Sequence, residues 1–227
     1  MALFNKSSRL SEAILENPQL IPVVNRLGVA LGVGEQSIGS VCAHAHIDPD
    51  FFLSIVNTFL DKDYFPADPQ DTFTLSKTVD YLRKTAAYYL SAQLPNIERH
   101  FSSLLARSGS DNNLGLLRGF FDDMKAQMTE CLHYDSQVLF PALERGEVPP
   151  DMDRSVSGHR EVEEKLHDLL CFFVVHLRGE YDRNLCMAVV SAVFSLDNDY
   201  RQNNRIRSRI LFPFMQGLIG DANVEIL

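Results

Sequence analysis

Two stretches of the chain repeat each other, and the residues in and around them have the types and spacing to do chemistry. Val138-Leu139-Phe140-Pro141 recurs as Ile210-Leu211-Phe212-Pro213, an offset of 72 (213 − 141). The same offset relates Asp135 to Arg207, Cys131 to Asn203, and Ala87 to His159. Cys131 and Asp135 stand four residues apart, so on a helix they share one face. Thiolate, carboxylate and imidazole side chains one helical turn apart are the means by which helix bundles hold transition metals. A repeat of this length implies two copies of one helical unit packed together. In both copies Phe anchors a helix near its end and Pro is expected to stop it.

Long helices must carry these positions. The apolar spacing predicts four: about Ser76 to Arg107 with Pro95 as a kink, Leu114 to Leu143, His159 to Leu177, and Asn184 to Gln216. The segment from Gly146 to Gly158, with Pro149-Pro150, reads as a long connection, and Ser108 to Asn113 as a loop. Ahead of them residues 61–73 read as a linker, and residues 1–62 as a small helical domain. Within that domain Asp48 is the expected N-cap of a helix with Pro49 at its first position. The apolar run Phe51 to Leu60 exceeds what so small a domain is expected to bury alone, which calls for a second copy. Strand signals are absent. The expected fold class is all-α: a small helical N-terminal domain (1–62) plus a four-helix bundle (74–220) with one long crossover.

Composition narrows the function. The chain has 227 residues, 45% of them hydrophobic, and a formal net charge of −9. That charge disfavours binding to nucleic acid or anionic membranes. The helix Ile47 to Leu60 carries no Lys or Arg to meet phosphates, which argues against a helix-turn-helix reading. No run of about 18 apolar residues is present, and the first residues lack the pattern of a secretory leader, so the expected location is cytoplasmic. Cys42, Cys131, Cys171 and Cys186 are widely spaced and read as free, mostly buried thiols. Arg201, Arg205 and Arg209 form a basic stripe, expected to be a solvated face balanced by acids. His44 and His46 read as solvated helix ends, His133 as exposed, and His167 and His176 as unremarkable amphipathic-helix positions.

The segments "RLGVALGVGEQSIGSVC" and "IDPDFFLSIVNTFL", with "TVDYLRKTAAYYLSAQLPNI", "CLHYDSQVLFP", "SGHREVEEKLHDLL" and "NNRIRSRILFP", give a specific resemblance. The whole chain resembles the hemerythrin-like proteins that repair iron–sulfur clusters after nitrosative or oxidative stress, also described as regulators of cell morphogenesis and nitric-oxide signalling. The resemblance implies a hemerythrin-like bundle, a cytoplasmic dimer and a di-iron centre. Carried over by register, the family's first-helix His falls on Ala87 and its second-helix His and Glu on Cys131 and Asp135. Its third-helix His is kept as His159, and its fourth-helix His and Glu fall on Asn203 and Arg207. The N-terminal cysteine pair common in the family is replaced by Leu31-Gly32. Ala87 cannot bind a metal, Asn203 is a poor ligand, and Arg207 puts a permanent positive charge where a cation would sit. The residual metal positions are Cys131, Asp135 and His159.

The functional expectation is therefore a degenerate member of that family. It assembles no di-iron cofactor and acts as a non-catalytic binding or regulatory protein, paired with itself or with an intact relative. The alternative is a metal-binding stress or repair protein in which Cys131, Asp135 and His159, with a water, hold a single ion.

Overall fold

The structure, a computed structural model, describes residues 3–66, 72–109 and 112–224, and every regular element among them is helical. Part of the expected linker (residues 67–71) and of the expected loop (110 and 111) lies outside the described residues. The chain forms two compact units: Met1–Thr85 with Gln202–Leu227, and Ala86–Arg201. This division differs from the sequence reading at 62 and 74.

The first unit opens with four short helices, α1 (Leu10–Glu16), α2 (Leu20–Arg26), α3 (Ile38–His44) and α4 (Pro49–Leu60). Seven-residue helices are marginal alone, so packing has to hold them. Leu10, Leu20, Val23, Ile38 and Cys42 are buried. Asp48 caps α4 as expected: its carboxylate accepts from the Asp50 N–H at 2.9 Å, and Pro49 begins the helix. The capping bond, the Phe51 N–H and the Lys77 ammonium hold the Asp48 carboxyl below its usual value, although burial pushes it up. Gly28 follows α2 with φ +93°, a conformation that costs glycine little. Asn57 ties down the N-terminal segment, donating to the Phe4 carbonyl (3.0 Å) and accepting from the Phe4 N–H (2.9 Å).

Two sequence expectations change here. Phe51, Phe52, Leu53, Ile55, Val56 and Phe59 are all buried within the chain, so this set leaves no apolar face for a second copy to cover. The basic stripe also divides. Arg201 meets acids, with Asp197 at 3.0 Å. Arg205 and Arg209 meet carbonyls instead: Arg205 donates to Thr58 and Phe59, and Arg209 to Asp61, Lys62 and Tyr64. The last carbonyls of a helix have no partner within it, and a guanidinium supplies both donors and a favourable charge there.

The remaining elements are α5 (Thr72–Tyr88), α6 (Leu94–Arg107), α7 (Leu114–Tyr134), α8 (Phe140–Glu144), α9 (Asp153–Cys171), α10 (Arg183–Ile206) and α11 (Phe212–Val224). Between and beyond them lie four π-helical turns: Tyr89–Gln93, Asp135–Leu139, Phe172–His176 and Arg207–Leu211. Three run directly into a residue followed by proline: Leu94-Pro95, Phe140-Pro141 and Phe212-Pro213. Proline lacks an N–H, and its ring collides with the carbonyl four residues back. A widened turn before it moves that carbonyl clear, and the helix continues. Pro95 therefore follows a π turn, and the helices run on past Pro141 to Glu144 and past Pro213 to Val224.

In the second unit, four helical segments share one core. Tyr89, Ile97, Phe101 and Leu104 come from the first; Leu117, Phe121, Met124 and Met128 from the second. Val162, Leu166, Leu169 and Phe173 come from the third; Val189, Val193, Leu196 and Tyr200 from the fourth. Phe101 stacks on Phe121 with centroids 5.3 Å apart and tilts against Phe173 at 5.6 Å. The third segment begins at Asp153, six residues before its expected start at His159. Gly158, read as a breaker, lies inside the helix because α9 approaches α7 there. A Cβ on Gly158 would lie 2.7 Å from Cys131 Sγ, closer than any side-chain carbon is found.

Candidate functional site

Asp135 is the first residue of the second π turn, and none of its surface is exposed. A carboxylate in that position costs several kcal/mol unless its oxygens find donors. Both do. Ser155 Oγ donates to Oδ1 at 2.7 Å, and His159 Nε2 lies 2.7 Å from Oδ2. Ser155 and His159 are one turn apart on α9, so both reach the same carboxyl group. The other ring nitrogen, Nδ1, lies 2.5 Å from the Tyr200 hydroxyl on α10. With Nε2–H donating to the carboxylate, a neutral imidazole accepts the Tyr200 O–H at Nδ1. Tyr200 in turn packs against Tyr89, centroids 5.7 Å apart. Ser155, Asp135, His159 and Tyr200 form one buried relay across three helices, each at most 3% exposed.

Of the three residual metal positions, the fold thus brings two together. Asp135 and His159 are hydrogen-bonded to each other. Cys131 lies one turn before Asp135, its sulfur against Gly158. Among the described residues no group of three or more His, Cys, Asp and Glu is arranged to hold a metal ion. Both nitrogens of His159 have protein partners, so ligation through either one would break a buried hydrogen bond. The residues present do not fit the di-iron group that the resemblance implies. Ala87 is solvent-exposed, and the inward positions of that stretch are Ala86 and Tyr89. In the first unit Asn203 accepts from the Tyr81 hydroxyl at 2.9 Å, and Arg207 is buried.

A cleft of about 220 Å³ opens beside Cys131, lined also by Gln127, Glu130, Tyr134, Arg154 and Glu161. Arg154 pairs with Glu130 and lies 5.9 Å from the centre of the Tyr134 ring. The Tyr134 hydroxyl donates to Asp151 at 2.7 Å. Burial, that bond and the negative charges of Asp151 and Asp135 push its pKa up to about 12, against the pull of Arg154. The four cysteines are free, and Cys42, Cys131 and Cys186 are buried. Burial raises the Cys42 thiol to about 11, with the Asp48 charge adding to it.

Sequence reasoning missed Ser155 and Tyr200. Ser155 had one usable signal, its i, i+4 spacing to His159, but it fell in a segment read as loop. Tyr200 had none, since a tyrosine in an apolar helix reads as core. His133 is exposed, as expected, and so are His167 and His176. No described helix is long and apolar enough to cross a membrane. Neither a protein-family model nor a curated protein matches the chain.

Proposed function

We propose that this chain is a hemerythrin-like protein of the iron–sulfur repair type in which a hydrogen-bonded relay stands where the metal chemistry would be. On this reading it is a non-catalytic binding or regulatory protein of the cytoplasm, working through its surfaces. One observation carries the proposal: the single His kept at a family ligand position spends both ring nitrogens on Asp135 and Tyr200. The reading is supported by the 72-residue offset, which relates the π turns Asp135–Leu139 and Arg207–Leu211 as well as the sequence, and by the core shared by four helical segments.

A buried carboxylate–imidazole–phenol chain braces three helices without an ion. Nε2–H is directed at a carboxylate oxygen, and the hydroxyls of Ser155 and Tyr200 complete the satisfaction of the group. Such a network rewards one arrangement of the helices, because displacing any member leaves a buried polar atom unpaired.

Metal analysis of protein purified from iron-supplemented cells tests the proposal. The expected result is less than one tenth of an equivalent of iron per chain, about that order, and an unfolding midpoint in urea that a chelator does not move. Two irons per chain retained through desalting would overturn it. A second reading, a single ion held by Cys131, Asp135 and His159, draws on the 2.7 Å approach of Asp135 to His159. One tightly held equivalent, lost with Asp135→Asn, would select that reading.

A further inference from the structure

We infer that the cleft where the end of α2 and the turn before α4 meet α5 binds a small apolar monocarboxylate, its carboxylate held by Arg26, Lys77 and Lys84. The site belongs to the first unit and does not rest on the function proposed above. The cleft measures about 210 Å³. Lys77, Asp80, Tyr81 and Lys84 stand at i, i+3, i+4 and i+7 of α5, so they share one face of it. Arg26 and Leu27 close α2, and His46, Ile47 and Asp48 lead into α4.

Charge selects an anion. The lining carries three cations, Arg26, Lys77 and Lys84, against two carboxylates, Asp48 and Asp80. That is a surplus of one positive charge in a chain of net charge −9. The cleft beside Cys131 carries the opposite sign, with Glu130 and Glu161 against Arg154. Both carboxylates of the α5 cleft are engaged. Asp48 accepts from the Asp50 N–H and lies 3.3 Å from Lys77 Nζ, and Asp80 lies 2.7 Å from Lys84 Nζ. These pairs fix the two ammonium groups, so a ligand meets them pre-organised. Arg26 is 6% exposed, and its guanidinium lies 5.4 Å from the centre of the Tyr81 ring. The planar fork of a guanidinium matches the two oxygens of a carboxylate, and burial strengthens the attraction.

The rest of the wall selects the body of the ligand. Leu27, Ile47, Phe51 and Tyr81 line it, so an apolar group fits beside the charge. A surplus of one positive charge suits a carboxylate better than a phosphate monoester, which carries close to two negative charges at neutral pH. At about 30 Å³ per water the cleft has room for about seven waters, or for an organic anion of roughly ten non-hydrogen atoms. The backbone adds a separate sign. Among the described residues His46, at this cleft, is the non-glycine residue with a left-handed conformation, φ +55°. Strained conformations of this kind collect where a chain grips a ligand.

Titration of the full chain with benzoate, followed by amide shifts in nuclear magnetic resonance, tests this. Benzoate should saturate with a dissociation constant below about 1 mM, the range for a ligand of roughly nine non-hydrogen atoms. The amides that shift should include those of Leu27, Ile47, Phe51 and Tyr81. Benzamide, of the same shape without the charge, should bind about tenfold more weakly. Arg26→Lys, which keeps the charge and loses the fork, should weaken benzoate about tenfold. Two substitutions at exposed positions serve if that variant folds poorly. Lys84→Gln should weaken benzoate about threefold and Asp80→Asn should tighten it about threefold, the size of one exposed charge. Both break the same ion pair, so a purely structural role would move them together. No saturable shift by about 10 mM benzoate, or shifts confined to other residues, would overturn the inference. So would benzamide binding as tightly as benzoate, the Lys84 and Asp80 variants acting in the same direction, or displacement of benzoate by an equal concentration of inorganic phosphate.

Discussion

The π turn Asp135–Leu139 and the π turn Arg207–Leu211 occupy the same place in their helices, each closing on Phe-Pro 72 residues apart. Their side chains do different work. Asp135 in the first turn is buried and holds Ser155 and His159 in a relay that ends at Tyr200. Near the second turn Asn203 accepts from the Tyr81 hydroxyl, Arg205 turns to the last carbonyls of α4, and Arg209 to the carbonyls that follow it. The backbone device persists because proline and its apolar neighbours require it locally. The polar positions around it have no such local requirement. Each copy satisfies its buried polar groups with the partners its own surroundings offer.

The largest expected effect falls on the first copy. Asp135→Ala removes the acceptor of two buried donors and opens a small cavity, which should cost about 3–5 kcal/mol in urea unfolding. A cost under about 1 kcal/mol would show that the relay braces nothing. Next is Gly158→Ala, whose new Cβ collides with the Cys131 sulfur; crowding of this kind costs about 1–3 kcal/mol. Cys131→Ala in the same chain should recover most of that loss. Additive costs for the two substitutions would mean that they are not in contact.

A matched pair of tyrosine variants compares the copies directly. Tyr200→Phe leaves a buried imidazole nitrogen unpaired and should cost about 1–2 kcal/mol, while Tyr81→Phe strips one bond from Asn203 and should cost about 1 kcal/mol. Equal costs, or the reverse order, would remove the distinction between the two copies. Arg209→Ala should have the smallest global effect, about 1 kcal/mol or less, because carbonyl capping by a half-exposed guanidinium is a local interaction. Its guanidinium also sits 4.3 Å from the centre of the Phe65 ring. The expected signature is faster amide exchange in residues 58–66 with little shift of the unfolding midpoint. A large midpoint shift with unchanged local exchange would contradict the capping role.

Much of the fold was legible because its signals are local. Asp48-Pro49 announces the start of α4, Asn17-Pro18 separates α1 from α2, and apolar spacing marks the long helices, all of which form near their expected places. The 72-residue repeat was visible in sequence and reappears as a pair of π turns. What misled was equally local. Gly158 and the prolines before it looked like a loop, yet the approach of Cys131 favours a residue without a side chain there and the helix continues through it. Phe51 to Leu60 looked like more apolar surface than a small domain can use, yet the chain buries it itself.

The sequence by itself determined the helical class, the helix starts marked by caps and the places where proline strains a turn, since each depends on a few adjacent residues. Residue type also limits what single positions can do: Ala87 offers no donor atom, and Arg207 carries a fixed positive charge. Only the tertiary structure decided that Asp135 meets Ser155 and His159, that His159 ends on Tyr200, and that Ala87 turns outward. Those outcomes depend on the register between helices distant in sequence. A hydrogen bond tolerates errors of only a few tenths of an ångström, far finer than any spacing along a single helix can specify.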